Sequence, residues 1–168
     1  MRHIRNDGGR AEAGRRGSTG DCVTRAIAIA SGRPYDEVYQ ALAAGNAGQR
    51  KTTRSRTTSG RRSASNGIHV TRQWFKDYMR GLGFVWTPTM QIGSGCTVHL
   101  TDGELPMGRL VVSLSRHYCA VIDGVIHDLY DPQRDGEEWY GPFDPALGRN
   151  PVIRRTGGRC VYGYWRLA

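Results

Sequence analysis

From Asp21 the chain takes up a helical rhythm: Val23, Ala26, Ile27 and Ala30 recur at i, i+3, i+4 and i+7 and form one apolar face. Ala28 and Ile29 carry apolarity around the cylinder, as expected of a helix buried on more than one side. Ser18, Thr19 and Asp21 are N-cap candidates, and Gly32 is a C-terminal stop. A second helix is predicted near "RPYDEVYQALAAG", with Pro34 in its first turn and Tyr35, Val38, Tyr39 and Leu42 on a shared face. A third, over roughly 70–82, spaces Trp74, Tyr78 and Leu82 by four, with Phe75 and Met79 alongside, and "GLGF" ends it.

After that the pattern becomes that of strands. "RLVVSLS" at 109–115 is apolar and β-prone, and "CVYGYWRL" at the end reads as a further strand. "HYCAVIDGVIHDLY" at 117–130 reads as a hairpin turning on Asp123-Gly124, both suited to positive φ. Helices first and an antiparallel sheet afterwards predict an α+β domain. Residues 1–17, Gly- and Arg-rich and without periodicity, read as a flexible basic arm before a single domain at 18–168. Within that domain, about 44–67 holds no aliphatic side chain beyond alanine until the following Ile68, and reads as a mobile basic insertion.

Composition narrows the function classes. The chain has 168 residues, 24 Lys and Arg against 15 Asp and Glu, a net charge of +9 and a mean hydropathy of −0.54. That is enough for one domain with its own core. No apolar run approaches the roughly 20 residues of a membrane span. No apolar h-region follows the basic N-terminus, so the expected location is the cytoplasm, and the four cysteines at 22, 96, 119 and 160 are expected as free thiols. Cys96-x-x-His99 is at most half a zinc site, and "DLYDPQRDGEE" lacks the alternating ligand spacing of a calcium loop; no metal or other cofactor is implied. Arg50, Lys51, Arg54, Arg56, Arg61 and Arg62 occur without an acid between them. They would suit nucleic acid or another polyanion through phosphate contacts, or simply keep the segment solvated.

The candidate chemistry lies in the hairpin and the first helix. A two-residue turn puts His117, Cys119, Asp128 and Tyr130 on one strand face, with Asp128 the diagonal neighbour of His117. His127 and Asp131 go to the other face, which selects Asp128 as the acid that orients the histidine. Cys119 reads as packing beneath the site. Cys22, at a helix start, is alone a packing cysteine, but unpaired N–H groups there and a nearby imidazolium lower a thiol pKa. Together the three make the parts of a thiol hydrolase.

These stretches, "GDCVTRAIAIASG" with "YDEVY" and later "RHYCAVIDGVIHDLYDP", resemble the papain-like cysteine hydrolases, above all small bacterial and phage members with a GDC helix and an H…DG…HD hairpin. "YMRGLGFVW" is a weaker helix match between them. The resemblance implies N-terminal helices packed on an antiparallel sheet, with Cys22 as nucleophile, His117 as general base and acid, and Asp128 as the third member. It implies a protein or peptide substrate whose peptide, isopeptide or other amide bond is cleaved through a thioester. Acyl transfer of the transglutaminase kind would use the same triad. From another class, a non-catalytic papain-like module or a nucleic-acid-binding accessory protein would use the basic 50–62 segment. Such enzymes usually carry Gln or Asn five or six residues before the cysteine, where this chain has Arg16 and Gly17. The oxyanion candidates are therefore the Cys22 N–H with Ser18, Thr19 or Arg16. Oligomeric state is not legible.

Overall fold

The computed structural model describes residues 1–17, 20–48, 63–65, 68–133, 145–146, 148 and 158–168, and the backbone alone of 137–140 and 152–155. In chain order the elements are β1 (Arg2–Arg5), α1 (Cys22–Ser31), α2 (Tyr35–Ala47), α3 (Gln73–Gly81), β2 (Phe84–Pro88), β3 (Arg109–Leu114), β4 (His117–Ile122), β5 (Val125–Asp128), β6 (Glu137–Tyr140), β7 (Val152–Arg155) and β8 (Val161–Leu167). Six strands form one sheet in the order β1-β5-β4-β3-β8-β2, and β6 pairs with β7 in a separate ribbon. Three helices pack on this sheet, an α+β arrangement.

The helices form where their periodicity places them. α1 stops at Gly32, whose φ of 70° frees its N–H to cap the Ala28 carbonyl at 2.9 Å. Its apolar residues Ala26, Ile27 and Ala30 are buried against β4 and the other helices. Burial of a side chain such as Ile27 stabilises by roughly 1.5–3 kcal/mol. α2 buries Tyr35, Val38, Tyr39 and Leu42, and α3 buries Phe75 and Met79. α2 and α3 approach closely at Gly45, where a Cβ would lie 2.3 Å from the Trp74 ring.

Alternation along the strands divides the sheet's side chains into two cores. Val111, Ala120 and Trp165 join the helices on one face, whereas Leu110, Val112, Leu114, Cys119, Val121 and Ile126 join Leu100 and Val161 on the other. Segment 98–105, which contributes Leu100, covers that second face. It is tied to the start of β8 by Leu100 N–H to Arg159 carbonyl (2.8 Å) and Val161 N–H to Val98 carbonyl (2.9 Å).

Four expectations are corrected. Residues 1–17 are not a loose arm throughout, because Arg2–Arg5 adds β1 to the open edge of β5 and satisfies backbone groups there. β1 runs parallel to β5, so the sheet is mixed rather than wholly antiparallel. At the ends of the basic insertion, α2 continues through Ala47, as its alanines favour. Asn46 Nδ2 there donates to the Ser63 carbonyl at 3.0 Å, and Ala64 is buried. Finally, Cys96 and Cys160 are not free thiols but form a disulfide, Cα atoms 5.8 Å apart, because the His99–Cys160 bridge aligns the two segments. Among the described residues no helix is long and apolar enough to cross a membrane.

Candidate active site

The β4–β5 hairpin has the register its turn demands. Ala120 pairs with His127, Val121 with Ile126 and Ile122 with Val125, and the turn residues Asp123 and Gly124 have φ of 47° and 77°. Continuing that register sets Asp128 opposite Cys119 and diagonal to His117. There the His117 Nε2 hydrogen-bonds to the Asp128 carboxylate. The second Asp128 oxygen accepts the Leu129 N–H at 2.7 Å and lies 3.5 Å from the Arg25 guanidinium.

Cys22 is the first residue of α1, and its thiol stands beside the His117 imidazole, close enough for each to shift the other's titration. With Nε2 engaged by Asp128, Nδ1 is the ring nitrogen left for the sulfur. Burial alone would raise the Cys22 pKa. His117, the backbone N–H of Tyr118 and the charge of Arg25 outweigh it, so the pKa falls below the ordinary thiol value. Burial alone would lower the His117 pKa, but the hydrogen bond and charge of Asp128, with those of Cys22, push it up to about 9. The lowered Cys22 value and the raised His117 value both favour the thiolate–imidazolium pair.

A cleft of about 1000 Å³ opens over this pair, with Cys22, His117, Gly20, Arg116 and Tyr130 among its lining residues. Cys119 is buried in the second core, which raises its thiol pKa far above the ordinary value and leaves it inert as a nucleophile. Of the oxyanion candidates, the Cys22 N–H lies in the first turn of α1, where backbone donors have no acceptor within the helix. The Arg16 side chain is exposed and is not among the residues lining the cleft; its carbonyl accepts from Arg10 at 3.0 Å. Ser18 and Thr19 lie outside the described residues, as do Arg50, Lys51, Arg54, Arg56, Arg61 and Arg62. Among the described residues lining the cleft there is no Asn or Gln.

Sequence reasoning missed a buried ionic network behind the site. Asp21, 1% exposed, does not cap α1 through its side chain. Its carboxylate instead takes Arg10 Nε at 2.8 Å, the Tyr35 hydroxyl at 2.6 Å and the Arg25 guanidinium. Arg25, 6% exposed, bridges Asp21 to Asp128. The carboxylates are buried, so cations rather than helix N–H groups satisfy them. The one signal in the sequence was an arginine interrupting an otherwise apolar helix face. The Asp128 carbonyl is also fixed, accepting from the Asn6 N–H and from His3 Nε2, each at 3.0 Å.

No family model, curated protein or solved structure matches this chain, so the reading of the site rests on the geometry of its own residues.

Proposed function

We propose that the protein is a papain-like thiol hydrolase that cleaves a peptide, isopeptide or other amide bond. The observation that carries this reading is the convergence of Cys22 and His117 in one cleft of about 1000 Å³, with His117 hydrogen-bonded to the buried Asp128. Such a volume is at the upper end of the roughly 300–1,000 Å³ of ligand pockets. In the reaction the thiol proton resides on His117 and the Cys22 sulfur attacks the substrate carbonyl. The carbonyl oxygen becomes an oxyanion, with the Cys22 N–H as donor. The imidazolium protonates the leaving amine as the C–N bond breaks, leaving a thioester on Cys22. His117 then takes a proton from water, whose hydroxyl adds to the thioester, and returns that proton to the sulfur as the acid departs. Asp128 holds the ring orientation and balances its charge throughout.

Iodoacetamide alkylation of Cys22 followed against pH tests the reading. A midpoint below that of an ordinary free thiol is expected, and a site that alkylates no faster than a free cysteine would refute it.

A further inference from the structure

A second pocket adjoins the cleft. It has a volume of about 340 Å³ and shares Val70, Thr71, Ser113 and Tyr118 with the larger space. Its remaining wall is aromatic and basic: Trp86, Tyr162 and Trp165, with Lys76 and Arg80. Tyr118 joins the two spaces, since it follows His117 on β4 and lines both the cleft and the pocket. Trp86 is 38% exposed although its ring stacks at a tilt on Trp165, with centroids 5.2 Å apart. It lies against Gly163, where a Cβ would come within 2.3 Å of the ring, so the absence of a side chain there lets the indole settle onto β8. Arg80 pairs with the exposed Asp77 at 3.2 Å, whereas Lys76 has no carboxylate partner among the described residues. No acidic residue lines this pocket among the described residues.

Resting on the thiol-hydrolase reading, we propose that this pocket is the specificity subsite of the Cys22 cleft. It takes a bulky apolar or aromatic side chain next to the scissile bond, with Lys76 selecting a carboxylate on an adjoining residue. The substrate class is thus an acidic peptide segment carrying a large apolar side chain. An offset or edge-on arrangement over Trp86 and Trp165 would bury the aromatic ring. The unpaired ammonium would favour an anion and disfavour a cation.

Binding can be measured apart from reactivity. Calorimetry on the Cys22→Ala protein compares the amidated, acetylated peptides Glu-Phe-Glu, Glu-Ala-Glu and Lys-Phe-Lys. The first is expected to bind about tenfold or more tighter than either of the others, the order of discrimination one pocket supplies. Trp86→Ala should erase the preference for Phe over Ala, and Lys76→Glu, at a half-buried position of α3, should reverse the preference for Glu over Lys. Equal binding of the three peptides, or preferences that survive both substitutions, would overturn the subsite. Iodoacetamide alkylation of wild-type Cys22 reports the ion pair alone. Fast alkylation without peptide selectivity therefore overturns the subsite and spares the hydrolase reading. Selective peptide binding beside an unreactive Cys22 supports the pocket and removes the hydrolase.

Discussion

The chemistry of a thiol depends on which charges surround it. Cys22 is half-buried, and burial works against a thiolate; only the influence of His117, Tyr118 and Arg25 reverses the balance. Alkylation should therefore rise with pH through a midpoint below that of a free thiol and then level off, because it needs only the thiolate. Hydrolysis should in addition decline as pH passes about 9, where His117 loses the proton that the leaving amine requires. Replacing His117 with Gln should lower hydrolysis by about 10²–10⁴-fold and raise the alkylation midpoint of Cys22, measured on the same preparations. The raised His117 value has a consequence for stability as well. The folded state holds that proton more tightly than the unfolded chain, whose histidine titrates near 6.5. The stabilisation is complete below about pH 6.5 and fades as pH rises through about 9. Urea midpoints of wild type and His117→Gln should converge across that interval. Arg25 acts at this scale too. Arg25→Met leaves Asp21 and Asp128 short of a buried cation and should cost about 3–5 kcal/mol in urea unfolding. Cys22 and His117 were legible as residue types with a plausible chemistry. Arg25 was not, because an arginine on an apolar face declares nothing until its buried partners are known.

At the scale of elements, the hairpin was the most legible part of the site. Asp-Gly at a two-residue turn selects one register, and that register determines which acid stands diagonal to His117. α1 was equally legible from its apolar period and its glycine stop, although the role of Asp21 was not. As an isolated N-cap candidate it suits the helix, but Arg10, Arg25 and Tyr35 offer its carboxylate better partners in the folded protein. β1 was missed because "RHIR" has one aliphatic residue and no alternation strong enough to mark a strand. Its pairing depends on an open edge more than a hundred positions later. Since His3 and Asn6 both donate to the Asp128 carbonyl, β1 positions the third member of the site. Removing residues 1–6 should slow Cys22 alkylation at pH 7 while leaving the helical circular dichroism in place; an unchanged rate would show that β5 holds Asp128 unaided.

Across the whole molecule, the sheet is covered on both faces, by helices on one and by the 98–105 segment on the other. The Cys96–Cys160 disulfide secures that second cover and closes a loop of 64 residues. A loop of that size corresponds to about 4 kcal/mol in the chain-entropy account, and typical measured values are about 2–4 kcal/mol. Reduction, or Cys96→Ser, should lower the denaturant midpoint accordingly, with Cys22 alkylation unaffected in the still-folded protein. Widely spaced cysteines carry no pairing information of their own, so the sequence favoured free thiols and the bridge came only with the fold. What the sequence by itself determined are local matters: three helix periods, a glycine stop and a turn whose parity puts His117 and Asp128 on one face. These follow from steric and hydrophobic rules acting over a few residues. Only the tertiary structure decided that β1 closes the sheet in parallel, that Asp21 and Arg25 form a buried network behind the site, and that Cys22 meets His117. Those contacts join residues far apart in the chain, and burial, which sets both their strength and the thiol's protonation, exists only once the chain has packed.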